Sequence, residues 1–235
     1  MTRPIVPGAR AGSAVVRQCF AVGRRLARPD YSTSLEAESA NALAALAPLL
    51  CCGEEAAVVG FDRLSRAGEF ECGARTILRR IADDERRHDS MLSGLREALP
   101  HYVQDPAIRD RARQLHLDLS RGGAVLHLAS IAGLDAAVCT ILSRLLRPGL
   151  PLSGSATIRS VLSQIRGDET RHVLVSRNIA LAAPDRQAVR GAAAEARAGL
   201  AELLACGADA FEALGVDPDR LVRDIAALPN GLLPR

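Results

Sequence analysis

Two five-residue stretches carry the same chemistry: Asp84-Glu85-Arg86-Arg87-His88 and Asp168-Glu169-Thr170-Arg171-His172, both of the form D-E-x-R-H. Each lies in a run with helical apolar spacing, where residues three apart stand one turn above each other on the same face. A carboxylate and an imidazole so placed can grip one metal ion, and two such pairs can grip two.

The elements that position them are read from the apolar periodicity. From Ser34, residues Ala40, Leu43, Ala47, Leu50, Glu54, Ala57, Phe61 and Leu64 form one helical seam, with Gly68 as its stop. Pro48 predicts a restart or kink within it. A second helix is predicted from Glu71 to Leu99, with Leu78, Ile81, Glu85, His88, Leu92, Leu95 and Leu99 inward. A third, from Ala107 to Arg147, turns Leu128, Ile131, Asp135, Val138, Leu142 and Leu145 inward, and Gly122-Gly123 is its weak point. After a Pro/Gly/Ser loop over 148–155, a fourth helix from Ala156 to Ala182 faces Ile158, Leu162, Ile165, Glu169, His172, Ser176 and Ile179 inward. A fifth opens at Pro184-Asp185 and runs to Leu214, and a short one covers 218–228 before a Pro/Gly tail. No stretch alternates as a strand would.

The seams are apolar except where they carry Glu54, Glu85, His88, Asp135, Glu169 and His172. A carboxylate in a core position costs several kcal/mol unless it is paired or holds a metal. Six such residues ask for one explanation. Glu54 precedes Glu85 by 31 positions and Asp135 precedes Glu169 by 34, so two antiparallel hairpins bring all six to one depth. The alternative, two solvated helix faces laced with ion pairs, accounts for Arg86, Arg87, Asp83 and Asp89. It leaves Glu85 and His88 on the apolar seam unexplained.

Over residues 34–182 the chain resembles the ferritin-like di-metal carboxylate superfamily, and D-E-x-R-H twice is close to the form in its diiron oxidase and oxygenase branch. The resemblance implies an all-α fold, a ferritin-like four-helix bundle with additional C-terminal helices. Segment 1–33 would be an Arg-rich N-terminal extension, 34–182 the di-metal bundle, and 183–235 the helices packed on it. It further implies two Fe ions, with Mn as the alternative metal, and O2 as co-substrate. Glu54, Glu85, His88, Asp135, Glu169 and His172 would be the metal ligands and catalytic residues. Asp84 and Asp168 would orient the imidazoles, because a ligating His donates its other N–H to a carboxylate. Arg87 and Arg171 would pair with those acids or with neighbouring carboxylates. Asp135 departs from the usual Glu by one methylene: either its helix sits closer, or that metal is bound less completely and leaves a position open for substrate or O2, and a helix-interior Asp making a salt bridge is the alternative reading. Phe61 stands where the family often has Tyr, so no tyrosyl radical is expected there.

Composition narrows the function. The 235 residues are 48% hydrophobic and only 3% aromatic, with no Trp and with Tyr31 and Tyr102 the two tyrosines. That excludes an aromatic platform for single-stranded nucleic acid. A net charge of +3, although all 30 basic residues are Arg, argues for no polyanion partner. The six cysteines, Cys19, Cys51, Cys52, Cys72, Cys139 and Cys206, form no C-x-x-C pair and read as reduced thiols. No run of roughly 18 uninterrupted apolar residues suggests a membrane span, and the cytoplasm is the expected compartment. His101 falls in a loop, and His116 and His127 read as ordinary histidines. His127 lies about 12 Å along the axis from Asp135. Residues 15–26 are expected to form a short surface helix or a mobile arm.

The expected function is a non-haem diiron oxidase or oxygenase that oxidises a small organic substrate, in the manner of specialised metabolism. It would work as a monomer or homodimer, with an external electron donor where the reaction needs one. Gly53, Ala57, Gly60, Ala132, Gly133 and Ala136 either leave room for a substrate cavity or mark close helix contacts. The alternative function is iron storage or peroxide detoxification, as in bacterioferritin-like or rubrerythrin-like proteins. A metal-free helical scaffold is the third reading.

Overall fold

Every regular element is helical in the computed structural model, which describes Tyr31 and residues 34–228. The expected helix over 15–26 and the Pro/Gly tail after 228 lie outside the described residues. Helix α1 spans Ala37–Leu64 and α2 spans Cys72–Glu97. They are followed by α3 (Pro106–Leu119), α4 (Ala124–Leu145), the four-residue α5 (Pro151–Gly154) and α6 (Ala156–Ala180). Arg186–Leu204 forms α7, and a 3-10 turn at Ala205–Gly207 leads into α8 (Ala208–Ala213) and α9 (Pro218–Ala226).

The differences from the sequence reading have local causes. Pro48 lies inside α1, which runs on as one helix, so the separate first segment is not formed. The long third helix is two helices, because Gly123 adopts φ 83 and caps the start of α4. An L-residue with a side chain is strained in that backbone region, and Gly is not. Residues 151–154 of the expected loop form α5, with Pro151 in its first turn. The fifth helix breaks at the 3-10 turn.

Helices α1 and α2 form one hairpin, and α4 and α6 a second. The hairpins meet where α2 touches α6 and α1 touches α4, while α7 packs on α4 and α9 on α7. All-α architecture therefore holds for the described residues. The buried faces are the expected seams, and α2 buries Leu78, Ile81, Glu85, His88, Leu92 and Leu95.

Apolar burial is divided. One cluster contains Cys51, Leu92, Ala137, Ile141 and Ile165, and another contains Phe61, Ile81, Ala82, Ile131 and Val175. On each of α1, α2, α4 and α6 the change from one cluster to the other falls at the charged residues: Glu54, Glu85 and His88, Asp135, and Glu169 and His172. A polar layer thus lies between two hydrocarbon blocks.

The small residues are also resolved. A Cβ on Gly133 would stand 2.6 Å from the Ala193 carbonyl oxygen, so Gly133 is where α7 lies against α4. A Cβ on Gly60 would stand 3.2 Å from Ile131 Cδ1, which makes Gly60 a close contact of α1 with α4. Nothing lies within 4 Å of the corresponding point at Gly53. Helices α1 and α4 are long and apolar enough to cross a membrane, with mean hydropathy of 1.7 and 1.9 over 18 residues. In α4, 72% of that window is buried inside the protein, as in the core helix of a globular fold.

Candidate metal centre

The two D-E-x-R-H stretches face each other across the contact of α2 with α6, and each histidine reaches to the other helix. His88 Nε2 donates to Asp168 Oδ2 at 3.1 Å, and His172 Nε2 donates to Asp84 Oδ2 at 3.2 Å. The aspartates are in turn held by their own helices, Asp84 by Arg87 and Asp168 by Arg171. Both pairs are three residues apart, the spacing that puts side chains on one helical face. Each ring is thereby fixed in plane with its Nδ1 turned to the centre of the layer. The ring centroids are 5.7 Å apart.

Carboxylates surround the inward nitrogens. His88 Nδ1 lies 3.1 Å from Glu85 Oε2, 3.1 Å from Glu169 Oε1 and 3.5 Å from Glu54 Oε2. His172 Nδ1 lies 2.9 Å from Glu85 Oε1 and 3.4 Å from Glu169 Oε2. Glu85 and Glu169 therefore each touch both imidazoles, one oxygen apiece. Both histidines are fully buried, at 0% exposure.

One ligand atom each from Glu54, Glu85, His88 and Glu169 lies within 4.8 Å of the others, so this group could hold a metal ion. Three carboxylate oxygens and one imidazole nitrogen suit a first-row divalent cation. A second observation fits the same group. Glu85 Oε1 and His172 Nδ1 approach closely but out of line for a hydrogen bond, so both are buried without a hydrogen-bond partner. Asp135 Oδ2 is buried and unpartnered as well. Buried polar atoms are nearly always satisfied, so the Asp135 oxygen, which has neither a hydrogen bond nor an ion pair, is available to a ligand.

Outside the four-residue group stand His172, which shares Glu85 and Glu169 with it, and Asp135. Asp135 is buried and feels the charges of Glu169, Glu85 and His172. Of the remaining positions singled out in the sequence, His127 is buried on α4 beside the Gly60 contact. Burial pushes its pKa down to about 4, with Arg63 and His116 adding to the effect. Spacing and composition give Cys139 no role, yet its Sγ lies 3.6 Å from Thr170 Oγ1, at the edge of the layer. Its position four residues after Asp135 is the signal that places it on that face. Burial, together with the charges of Glu169 and Asp135, raises its thiol pKa to about 11, so it is protonated at neutral pH. Ser176, one turn beyond His172, is fully buried with its hydroxyl unpartnered.

The protons of the metal-free layer follow from these contacts. Burial alone would lower the His88 pKa, but hydrogen bonds to Asp168, Glu169, Glu54 and Glu85 hold it far above the ordinary imidazole range. His172 behaves alike, with the Glu169 charge and its bonds to Asp84, Glu169 and Glu85 outweighing burial. Glu85 is held ionised, because the two imidazoliums outweigh the desolvation that would raise it. Desolvation pushes Glu54 and Asp135 well up, toward the neutral acid.

A cation must displace these protons, so metal binding is expected to release protons and to strengthen as pH rises. The raised histidine pKa values mean their stabilising ion pairs are fully present below the unfolded value of about 6.5 and are lost only as pH rises through the folded values. Across pH 6 to 8 both rings therefore stay charged in the metal-free chain and compete with the cation throughout. Apparent affinity for Co(II) should rise at least about tenfold per pH unit in that window. Calorimetry in buffers of different ionisation enthalpy measures the proton count directly. Loading with no net proton release would show that the rings are neutral.

No protein-family model matches this sequence, and no curated protein matches it.

Proposed function

We propose that α1, α2, α4 and α6 form a ferritin-like four-helix bundle whose polar layer holds two metal ions, and that the protein is a non-haem diiron oxidoreductase acting with O2 on a small organic substrate. The observation that carries this reading is the reciprocal crossing of His88 to Asp168 and His172 to Asp84, which aims both Nδ1 atoms at shared carboxylates. A solvated face laced with ion pairs has no use for two fully buried imidazoles oriented in this way.

In this reading Glu54, Glu85, His88, Asp135, Glu169 and His172 would hold the two ions. Bound iron would supply the electrons and the Lewis acidity for reducing dioxygen. The chain contributes position and dryness. Asp84 and Asp168 keep each Nε2–H occupied, so the nitrogen that faces the ions is always Nδ1. Arg87 and Arg171 offset the negative charge of those aspartates. The hydrocarbon blocks above and below exclude bulk water, which strengthens every charge interaction in the layer. The edge of Phe61 lies against His172 with ring centroids 6.2 Å apart, an apolar wall on that side. Asp135, with an oxygen free of hydrogen bonds, marks the side where a coordination position would be open to O2 or substrate.

The test is oxygen uptake by chain loaded anaerobically with Fe(II). Uptake well above that of the same Fe(II) in buffer, from a particle eluting as a monomer or dimer, is the expected result. Uptake equal to free Fe(II) would exclude an oxidase, and elution as a large cage would favour iron storage.

A further inference from the structure

Away from the polar layer, the end of α4 and the start of α9 enclose a surface cavity of about 140 Å³. Arg144 and Arg147 enter it from the end of α4, and Arg220 from the first turn of α9. Leu150 and Val216 contribute its apolar wall. Asp217 lines it as well, so three arginines and one acidic residue surround this small volume.

The nearby acids are already engaged. Asp217 caps α9, its carboxylate accepting from the Arg220 backbone N–H at 2.9 Å. Asp224 pairs with Arg144 and so fixes the direction of that guanidinium. Arg147 and Arg220 are exposed and form no ion pair among the described residues. Balanced against Asp217 and Asp224, the three arginines leave one positive charge in the cavity.

We propose that this cavity binds a phosphate group, either as the free ion or as the end of a phosphate monoester. Guanidiniums arriving from two elements can each take an oxygen of a tetrahedral dianion, which a planar carboxylate offers less well. The proposal is independent of the metal reading, since it involves none of the ligand residues. The buried centre, lined by carboxylates, repels phosphate.

The test is calorimetric titration of the 235-residue chain, freed of metal and held at constant ionic strength, with inorganic phosphate, glycerol 3-phosphate and acetate in turn. One saturable phosphate site per chain is expected, weakened at least about tenfold in the Arg147→Gln/Arg220→Gln variant. Both positions are exposed, so the variant should keep the parent's melting temperature without phosphate, and phosphate should raise the melting temperature of the parent alone. Tighter binding of glycerol 3-phosphate than of phosphate would identify an ester as the ligand, and equal binding the free ion. Acetate binding as tightly as phosphate, absence of saturation, or unchanged binding in the variant would each overturn the proposal.

Discussion

Loaded anaerobically with Fe(II), the chain is expected to bind two irons, and Glu85→Ala is expected to weaken both sites by at least about 100-fold. The effect is large because Glu85 faces both imidazoles. Its two oxygens lie 3.1 Å from His88 Nδ1 and 2.9 Å from His172 Nδ1, so its loss reaches both imidazoles. In the metal-free chain the same change leaves two buried imidazoliums short of a counter-charge, a loss of about 3 kcal/mol. Glu85→Gln keeps the volume while removing the charge and one of the two acceptor oxygens, so it separates loss of packing from loss of the carboxylate. Asp84→Asn and Asp168→Asn act through the orientation and charge of the histidine each one bonds, and should weaken binding by about 10- to 100-fold each. Iron content after desalting, together with the melting temperature with and without metal, measures all four variants. Fewer than one iron per chain in the parent, unchanged by Glu85→Ala or His172→Ala, would rule out the di-metal reading.

The second large effect concerns packing. Gly133→Ala is expected to destabilise the chain by about 3 kcal/mol, at the upper end of overpacking penalties. The added methyl would meet backbone: 2.6 Å to the Ala193 carbonyl oxygen and 3.0 Å to its Cα. A side chain could rotate away, but a helix backbone can only move as a body, so α7 must lift off α4. For a chain of this size the melting temperature should fall by about 6–12 °C. Gly191→Ala is the control on the opposite side of the same contact. Nothing lies within 4 Å of the new methyl there, and removing a mid-helix glycine should leave stability unchanged or raise it by about 0.5 kcal/mol. Equal melting temperatures for the two variants would show that α4 and α7 are not in this close register.

The contrast between these sites shows what could be read from the chain. Glu85, His88, Glu169 and His172 were legible because a charged pair on an apolar seam contradicts its surroundings, and the contradiction occurs twice with the same flanking residues. The orienting role of Asp84 and Asp168 came from the resemblance, because spacing puts each on the turn of its own histidine, whereas each bonds the histidine of the other helix. The contact at Gly133 was not legible. A glycine among alanines reads equally as spare room or as close approach, and the choice rests on which helix lies outside α4. That is a tertiary fact with no periodic signature. Pro48 misled for a related reason: the missing N–H predicts a break locally, but burial of Leu43, Ala44, Leu46, Ala47 and Cys51 around it holds α1 together. Cys139 went unread because a thiol on a helix is ordinary until its neighbours on α6 are known.

The polar layer between two hydrocarbon blocks has a mechanical consequence. At mid-height charged side chains take the place of much of the apolar packing, and in the metal-free chain imidazolium–carboxylate pairs help to hold the helices there. Ions gripped by residues from α1, α2, α4 and α6 would act as a removable cross-link, tying four segments that span most of the chain at a single level. Such a tie restricts the unfolded ensemble as a covalent staple does, and it can be made or undone by the supply of metal. Metal status would then govern how the chain resists heat and proteolysis.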